Sequence, residues 1–186
     1  MSMAMKVAIA WGVSELILAI VRRSSSSSSE RKDGSSLLLL WVAIGAGIFM
    51  AIVATHVPSA AMPLAPSILG AIAIMLIVLG LALRIAAVLT LRRFFTVDVA
   101  IHEGHTVVDH GLYRYVRHPA YAGVLLSFLG FGVGLGNWLS VAAMFVPVAL
   151  AITYRIRVEE RALIAALGDA YVQYAARTKR LIPGVL

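Results

Sequence analysis

The sequence predicts an all-α integral membrane protein with about five transmembrane helices and an amphipathic C-terminal helix on the cytoplasmic side. Two observations support this fold class. Hydrophobic residues make up 61% of the 186 residues and charged residues only 13%, which lies outside the usual range of soluble domains. The apolar residues also fall into runs close to the roughly 20 residues that a helix needs to cross a bilayer.

Five apolar runs are the predicted spans. They cover residues 3–21, 37–57, 67–89, 119–136 and 138–154. The first run contains Lys6 and Glu15, and it is followed by arginines rather than by a signal-peptide cleavage site, so a retained helix is predicted. Pro119 suits the first turn of its helix, because a proline there gives up no helical hydrogen bond. Asn137 marks a tight turn between the last two spans.

The basic residues separate to one side of the predicted bundle. If successive helices alternate in direction, every lysine and arginine except Lys6 falls in the first loop, in the stretch from Arg84 to Arg117 at the third loop, or in the C-terminal tail. The positive-inside rule then predicts an outside N-terminus and a cytoplasmic C-terminus. The net charge of +7 is accordingly assigned to contacts with anionic membrane lipids and not to nucleic acid. The chain has no cysteine, which excludes disulfides and thiolate metal sites.

Two polar stretches interrupt the apolar runs. Residues 22–36 are serine-rich and of low complexity, and they predict a mobile loop. Residues 90–117 are long for a simple connection and contain His102, His105 and His110. No metal site is predicted there, because the histidines lack helical i, i+4 spacing and cysteine is absent. Chemistry is nevertheless expected in this second stretch.

The tail beyond Tyr154 has the pattern of an amphipathic helix. An apolar stripe recurs at spacings of four, four and three residues in Leu163, Leu167, Tyr171 and Tyr174. Gly168 is predicted to end one helical piece and Asp169 to cap the next. Glu160 shares this stripe, so its carboxylate is expected to point toward the protein and to need a partner. One candidate is a structural ion pair with Arg155, Arg157 or Arg161.

Four short motifs follow one another in the second half of the chain. They are Arg117-His118-Pro119-Ala120-Tyr121-Ala122-Gly123, Glu159-Glu160, Leu167-Gly168-Asp169-Ala170-Tyr171 and Arg180-Leu181-Ile182-Pro183. This ordered set resembles the isoprenylcysteine carboxyl methyltransferase family, and parts of it are also similar to phospholipid N-methyltransferases. The resemblance covers about residues 94–183. It divides the chain into N-terminal transmembrane helices, 1–89, and a methyltransferase core, 90–186.

The resemblance implies a helical membrane enzyme that uses S-adenosyl-L-methionine, with no Rossmann sheet. It implies Arg117 and Glu160 as catalytic residues. The implied cofactor-binding residues are His118, Pro119, Tyr121, Glu159, Glu160, Tyr171 and Arg180. By their chemistry, the glutamates can accept hydrogen bonds from an amino group or ribose hydroxyls, Arg117 or His118 can hold a carboxylate, and the tyrosines can pack on adenine.

Two further features have structural interpretations. The glycines at 130, 132, 134 and 136 lack the spacing of a nucleotide-binding loop. They form small-xxx-small pairs, 130 with 134 and 132 with 136, that predict close helix packing. Arg84 lies near the end of its span and is expected to extend to the membrane interface.

The acceptor stays open between several lipophilic groups. The family's defining acceptor is a prenylated cysteine carboxylate, which is nucleophilic at neutral pH and needs no general base. A phospholipid amine would have to lose a proton, and a small thiol is a further alternative. A membrane reductase that uses NADPH, and a transporter or assembly subunit, are the other functional hypotheses. The expected location is the inner or plasma membrane in a bacterium and the endoplasmic reticulum in a eukaryote.

Overall fold

The computed structural model of the chain is helical. It describes Gly12 and residues 35–95 and 106–182. Five α-helices lie in these residues: α1 Ser35–Ala54, α2 Pro66–Leu91, α3 Pro119–Gly134, α4 Trp138–Leu167 and α5 Asp169–Arg177. Short 3-10 turns lie in the connections, at Pro58–Ala60, Arg92–Phe94 and Gly111–Arg114. The described residues form no β-strand beyond two isolated bridges. The predicted all-α fold is therefore confirmed, while the predicted span 3–21 lies outside the described residues.

The ends of several helices differ from the predicted ends. α1 begins at Ser35, so the loop predicted for 22–36 was wrong for its last two residues. α3 ends at Gly134, because Gly136 turns the chain with φ +69°. α4 does not end at Tyr154 but continues to Leu167. A change from apolar to amphipathic composition changes the surroundings of a helix, but it does not end the helix.

The boundary between α4 and α5 lies at the predicted glycine. Gly168 ends α4 with φ +56°, a conformation that glycine adopts without strain. Asp169 is the first residue of α5, and Gly168 takes the cap position without any side-chain capping bond. The prediction that Asp169 caps α5 was therefore wrong, although an acidic residue in the first turn still complements the helix dipole.

Three of the described helices, α1, α2 and α4, are long and apolar enough to cross a membrane. α3 has 16 residues and therefore extends over only about 24 Å. α1 packs along α4, and α3 packs mainly along α2. Outward-facing apolar side chains line α1, including Leu38 and Phe49, which are 65% and 68% exposed. Such a surface suits contact with lipid and not with water.

Glycines set the distance between the helices. A Cβ on Gly123 would lie 2.5 Å from the carbonyl oxygen of Gly80, and one on Gly132 would lie 2.8 Å from Val141 Cα. The predicted role of Gly130 and Gly132 in close packing is confirmed, because Gly130 likewise meets α2 through Ala73. The remaining members of the predicted pairs, 134 and 136, lie at the exposed end of α3 and in the following turn.

Arg84 occupies this close contact between α2 and α3. Its side chain is buried, at 9% exposed, and its Cζ lies 5.8 Å from the centroid of the Phe95 ring, a cation–π distance. The expectation that Arg84 reaches the membrane interface was wrong. Gly123 admits α3 against the backbone of Arg84, and Phe95 after α2 lies against its side chain.

The α1–α2 connection meets the α3–α4 turn at one end of the bundle. Met62 N donates to Gly136 O at 2.8 Å, and Asn137 Nδ2 donates to Val57 O at 3.0 Å. Asn137 Oδ1 also accepts from the amides of Leu139 and Ser140, which caps α4. Neither connection contains a charged residue. The charged segments that flank α2, α3 and α4 consequently lie at the opposite end.

Candidate active site

Polar side chains converge where α3 begins, at the charged end of the bundle. We call this group the paired-glutamate centre. It consists of Arg117, His118, Tyr121, Arg155, Glu159, Glu160 and Arg180. α4 supplies Arg155 and both glutamates, the start of α3 supplies Tyr121, and the segments flanking α3 and α5 supply the rest. Sequence motifs from Arg117 to Arg180, which lie far apart along the chain, are thus brought together, as the resemblance implied.

Backbone pairing holds the two segments that carry the basic residues. Arg117 N donates to Lys179 O at 2.7 Å, His118 N donates to Arg180 O at 3.0 Å, and Lys179 N donates to Tyr115 O at 3.2 Å. The two segments run parallel at this point. Pro119 follows as the first residue of α3, as predicted, and it is fully buried. This position explains how α3 starts, but the side chain of Pro119 has no polar group with which to contact a ligand.

Glu160 is the best-connected carboxylate of the centre. It is 8% exposed, so the predicted inward orientation is confirmed. Its Oε1 accepts from Arg117 Nε at 2.8 Å and its Oε2 from Arg180 Nε at 3.0 Å. His118 Nε2 lies 3.4 Å from Oε1. These partners come from the segments that flank α3 and α5, whereas the ion pair considered from sequence used Arg155, Arg157 or Arg161 of α4.

Arg117 joins three parts of the fold. Beyond Glu160, its Nη1 donates to the carbonyl oxygens of Ala175, at 2.9 Å, and of Thr178. Its side chain is only 9% exposed. These carbonyls lie at the C-terminal end of α5, where a guanidinium group is a suitable hydrogen-bond donor. The geometry therefore gives Arg117 a positioning role, and its predicted catalytic role stays a prediction.

Glu159 belongs to a second chain of hydrogen bonds. Tyr121 Oη donates to Glu159 Oε2 at 2.8 Å and accepts from Arg155 Nε at 2.9 Å. Arg155 Nη1 donates to Ser36 Oγ of α1 at 3.0 Å. Sequence reasoning considered Arg155 only as a structural partner of Glu160 and did not place Arg155 or Ser36 in the site. Arg155 precedes Glu159 by four residues, and this i, i+4 spacing on one helix face was the available signal.

The tyrosines of α5 face the centre from the other side. Tyr171 is 4% exposed, and its hydroxyl has no hydrogen-bond partner among the described residues. Tyr174, whose ring centroid is 5.8 Å from that of Tyr171, donates to Tyr113 O at 2.8 Å. Burial raises the pKa of Tyr171 well above its ordinary value and that of Tyr174 to about 12. Both hydroxyls are therefore neutral donors at physiological pH.

The histidines of the polar stretch do not enter this centre where they are described. His110 is exposed and precedes the 3-10 turn Gly111–Arg114. His102 and His105 lie outside the described residues. The adjacent Asp109 forms an exposed ion pair with Arg177 of α5 at 2.5 Å. This contact fixes the 106–114 segment against α5.

Comparison with known proteins identifies several similar sequences and similar solved structures. The model of the isoprenylcysteine carboxyl methyltransferase (ICMT) family matches residues 72–165, just over half of the chain. Protein-S-isoprenylcysteine O-methyltransferase B of Arabidopsis thaliana is 38% identical over 112 residues, which is 59% of this chain and 57% of that protein. Methanethiol S-methyltransferase 1 of Bradyrhizobium diazoefficiens is 40% identical over 72 residues, or 39% of this chain and 24% of that protein.

One similar solved structure is that of a eukaryotic intramembrane Ras methyltransferase, isoprenylcysteine carboxyl methyltransferase. The TM-score is 0.68 at 26% sequence identity, and the match covers 98% of this chain and 65% of that chain. The chain thus spans less than two thirds of the length of the plant relative and of the solved protein. Together with the apolar length of α1, α2 and α4, this likeness identifies an integral membrane protein.

Proposed function

Because this chain belongs to the isoprenylcysteine carboxyl methyltransferase family, we propose that it transfers a methyl group from S-adenosyl-L-methionine to a lipophilic acceptor. The acceptor that we infer is the carboxylate of a prenylated cysteine. The paired-glutamate centre is the observation that supports this function best. It combines carboxylates and guanidinium groups at the end of helices whose outer surfaces are apolar, which suits a polar cofactor beside a lipid-like acceptor.

The chemistry of the centre fits this cofactor. When bound, S-adenosyl-L-methionine supplies an electrophilic methyl group on a cationic sulfur. The side chain of Glu159 is 31% exposed and retains acceptor capacity for ribose hydroxyls or an ammonium group. Tyr171 contributes a buried hydroxyl without a partner in the described part of the chain. A buried donor of this kind is unfavourable until it is paired, so a polar ligand beside it is expected.

For this reaction the protein has to orient the reactants, and it does not have to transfer a proton. The bound cofactor would supply its methyl group to an acceptor carboxylate oxygen, with the electron pair of the carbon–sulfur bond left on sulfur. The products would be a methyl ester and a neutral thioether, and no proton would move. Arg117 and Glu160 hold the segments around the site together, and Arg155 orients Tyr121 and through it Glu159. Such fixed geometry, with water excluded, is expected to supply most of the rate.

The centre lies on the cytoplasmic side in this proposal. The uncharged connections meet at the opposite end, and the arginines and lysines of the described tail lie near the centre. The positive-inside rule then orients the N-terminus outward and the C-terminus toward the cytoplasm. The prenyl chain would stay in the bilayer beside the helices. The membrane would be the endoplasmic reticulum in a eukaryote and the inner or plasma membrane in a bacterium.

A methyl-transfer assay tests this function directly. Purified protein is incubated with S-adenosyl-L-methionine labelled in the methyl group and with a farnesylated cysteine whose carboxylate is free. The matched control acceptor is the same compound with its carboxylate converted to an amide. We expect base-labile label, which indicates a methyl ester, on the free acid alone. Equal labelling of both compounds, or of neither, would contradict the carboxylate assignment.

Sulfur is the second candidate acceptor. The observation that favours it is the 40% identity over 72 residues to a methanethiol S-methyltransferase. A thiol must lose its proton before it attacks, so its methylation rate is expected to rise as the pH approaches the thiol pKa, which is about 8.5 for cysteine and higher for a simple alkyl thiol. Carboxylate methylation lacks this dependence above about pH 6. The same assay with a small alkyl thiol, run across this pH range, distinguishes the two acceptors.

A further inference from the structure

We propose that the phosphate of an anionic phospholipid headgroup binds in a cavity between the 109–114 segment and the C-terminal end of α5. The cavity has a volume of about 300 Å³ and is lined by Asp109, Arg114, Tyr174 and Arg177. It shares no residue with the paired-glutamate centre. The ligand is a lipid of the surrounding bilayer and neither the methyl donor nor the acceptor, so this inference goes beyond the proposed function.

The two arginines of the cavity have donors for a further anion. Arg177 Nη2 donates to Asp109 Oδ2 at 2.5 Å, and the two side chains are 62% and 53% exposed. Arg114 is exposed, and its side chain forms no hydrogen bond or ion pair with the described residues. A guanidinium group carries several N–H donors in a plane that matches the oxygens of a phosphate. A phosphate in the cavity would therefore accept hydrogen bonds from both arginines.

The charges around the cavity favour an anionic headgroup over a zwitterionic one. Two arginines and one aspartate give the lining one net positive charge, which a single phosphodiester neutralises. A zwitterionic headgroup would bring a cation of its own. Because Asp109 is already paired with Arg177, that cation would meet no unpaired anion among the residues that line the cavity.

The cavity lies at the level where a membrane span ends. A Cβ on Gly111 would be 3.5 Å from the side chain of Thr90, which belongs to the last turn of α2. α2 is long and apolar enough to cross a membrane. Tyr115, next to Arg114, is 61% exposed, and tyrosine is enriched at membrane–water interfaces. The segment that carries Arg114 is thus positioned where lipid headgroups lie.

Hydrogen bonds hold the two walls of the cavity together. Tyr174 Oη donates to Tyr113 O at 2.8 Å, which joins α5 to the 3-10 turn that carries Arg114. The ion pair between Asp109 and Arg177 joins the same two segments at a second point. A ligand therefore finds both arginines already positioned, and binding requires little ordering of the protein.

Thermal unfolding of the full chain tests this site. Protein in dodecyl maltoside micelles is titrated with phosphatidylglycerol, which is anionic, or with phosphatidylcholine, which is zwitterionic and has the same acyl chains. A ligand of the folded state raises the unfolding temperature saturably, and we expect this of phosphatidylglycerol alone. For Arg114→Gln the half-maximal effect should need at least roughly 10-fold more phosphatidylglycerol, as for a lost charge-assisted hydrogen bond.

Three further variants sharpen the comparison. Arg161→Gln is the matched control, because Arg161 is exposed and does not line the cavity and its loss removes the same charge. It should change the titration by less than about twofold. Arg114→Lys keeps the charge and should recover part of the affinity, and Arg177→Gln should weaken phosphatidylglycerol as well. The unfolding temperature of each variant without lipid shows whether it is folded.

Glycerol phosphate identifies the source of the phosphate. It presents a phosphate without acyl chains, so it should stabilise the protein only at much higher concentration. An equal response to glycerol phosphate would assign the cavity to a soluble phosphate and overturn the lipid site.

Two other results would overturn the site. One is equal weakening by Arg114→Gln and Arg161→Gln, which would show a response to overall charge and not to this cavity. The other is the absence of saturable stabilisation by phosphatidylglycerol. Neither result involves methyl transfer, so the proposed function would stand if the lipid site failed.

Discussion

One hydroxyl in the centre connects two opposite charges. Tyr121 Oη accepts from Arg155 and donates to Glu159, at 2.9 and 2.8 Å. Arg155 is 1% exposed and is the largest fully buried side chain in the described residues. A buried guanidinium needs partners for its donors, and Tyr121 supplies one while it also orients the carboxylate that faces the ligand.

Removing this hydroxyl should impair both stability and methyl transfer. Tyr121→Phe removes the hydroxyl that accepts from Arg155 Nε inside the bundle, which we expect to lower the free energy of unfolding by about 1–3 kcal/mol. Methyl transfer should fall as well, because Glu159 loses the donor that fixes it. Thermal unfolding in detergent and kcat/KM measure the two effects. Tyr115→Phe, at a tyrosine that is 61% exposed, is the control and should change neither.

At the scale of single residues, the sequence predicted the orientation of the carboxylate Glu160 better than the contacts of the arginines. Glu160 was placed inward by the helical period that it shares with Leu163, and its burial confirms this. The partners of Glu160 and the burial of Arg155 depend on contacts with residues far away in sequence, such as Ser36. No local pattern encodes such contacts, and only the i, i+4 spacing to Glu159 pointed to Arg155.

Among the helices, the α2–α3 contact has the least room for change. A Cβ on Gly123 would lie 2.5 Å from Gly80 O and 2.9 Å from Arg84 N, and both are backbone atoms that a rotamer change cannot move. This contact also fixes where α3 starts, and so where Arg117, His118 and Tyr121 lie relative to α4. Small residues are what permits such approach between membrane helices.

Alanine at this contact should loosen the bundle. For Gly123→Ala we expect a decrease of about 1–3 kcal/mol in the free energy of unfolding, as for other overpacked sites. The matched control is Gly70→Ala in α2, where an added Cβ meets nothing within 4 Å. Because alanine favours a helix over glycine, the control should unfold at the same or a higher temperature. A stable Gly123→Ala variant would show that α2 and α3 approach less closely than described.

Helices were predictable as elements, and their ends were less so. The apolar runs at 37–57, 67–89 and 119–136 correspond to α1, α2 and α3, because length and hydropathy encode a span directly. The amphipathic helix beyond Tyr154 and its end at Gly168 were predicted, but its continuity with the last span as one helix, α4, was missed, because the composition changes at that point. Gly168 was identified correctly, because a positive φ requires the residue type that the sequence shows.

At the scale of the whole molecule, charged residues are concentrated at one end of the helix bundle. The two connections without charge meet through Met62, Gly136 and Asn137, and the basic residues lie around the other end.

Since the chain has no native cysteine, single introduced cysteines report which end faces which compartment. In sealed vesicles or cells, an impermeant maleimide should label Ser59→Cys from the outside. It should label Gln173→Cys of α5 only after the membrane is opened. The reverse pattern would contradict the proposed orientation.

Cofactor choice tests the central claim most directly, because a membrane reductase of similar plan would use NADPH and a transporter neither ligand. Binding of S-adenosylhomocysteine and of NADPH is measured by calorimetry for the wild type and for a Glu159→Ala, Glu160→Ala double variant shown to be folded. We predict saturable binding of S-adenosylhomocysteine that the double variant loses, and no binding of NADPH. Binding of NADPH alone, of neither ligand, or of S-adenosylhomocysteine with undiminished affinity in the double variant would contradict the account.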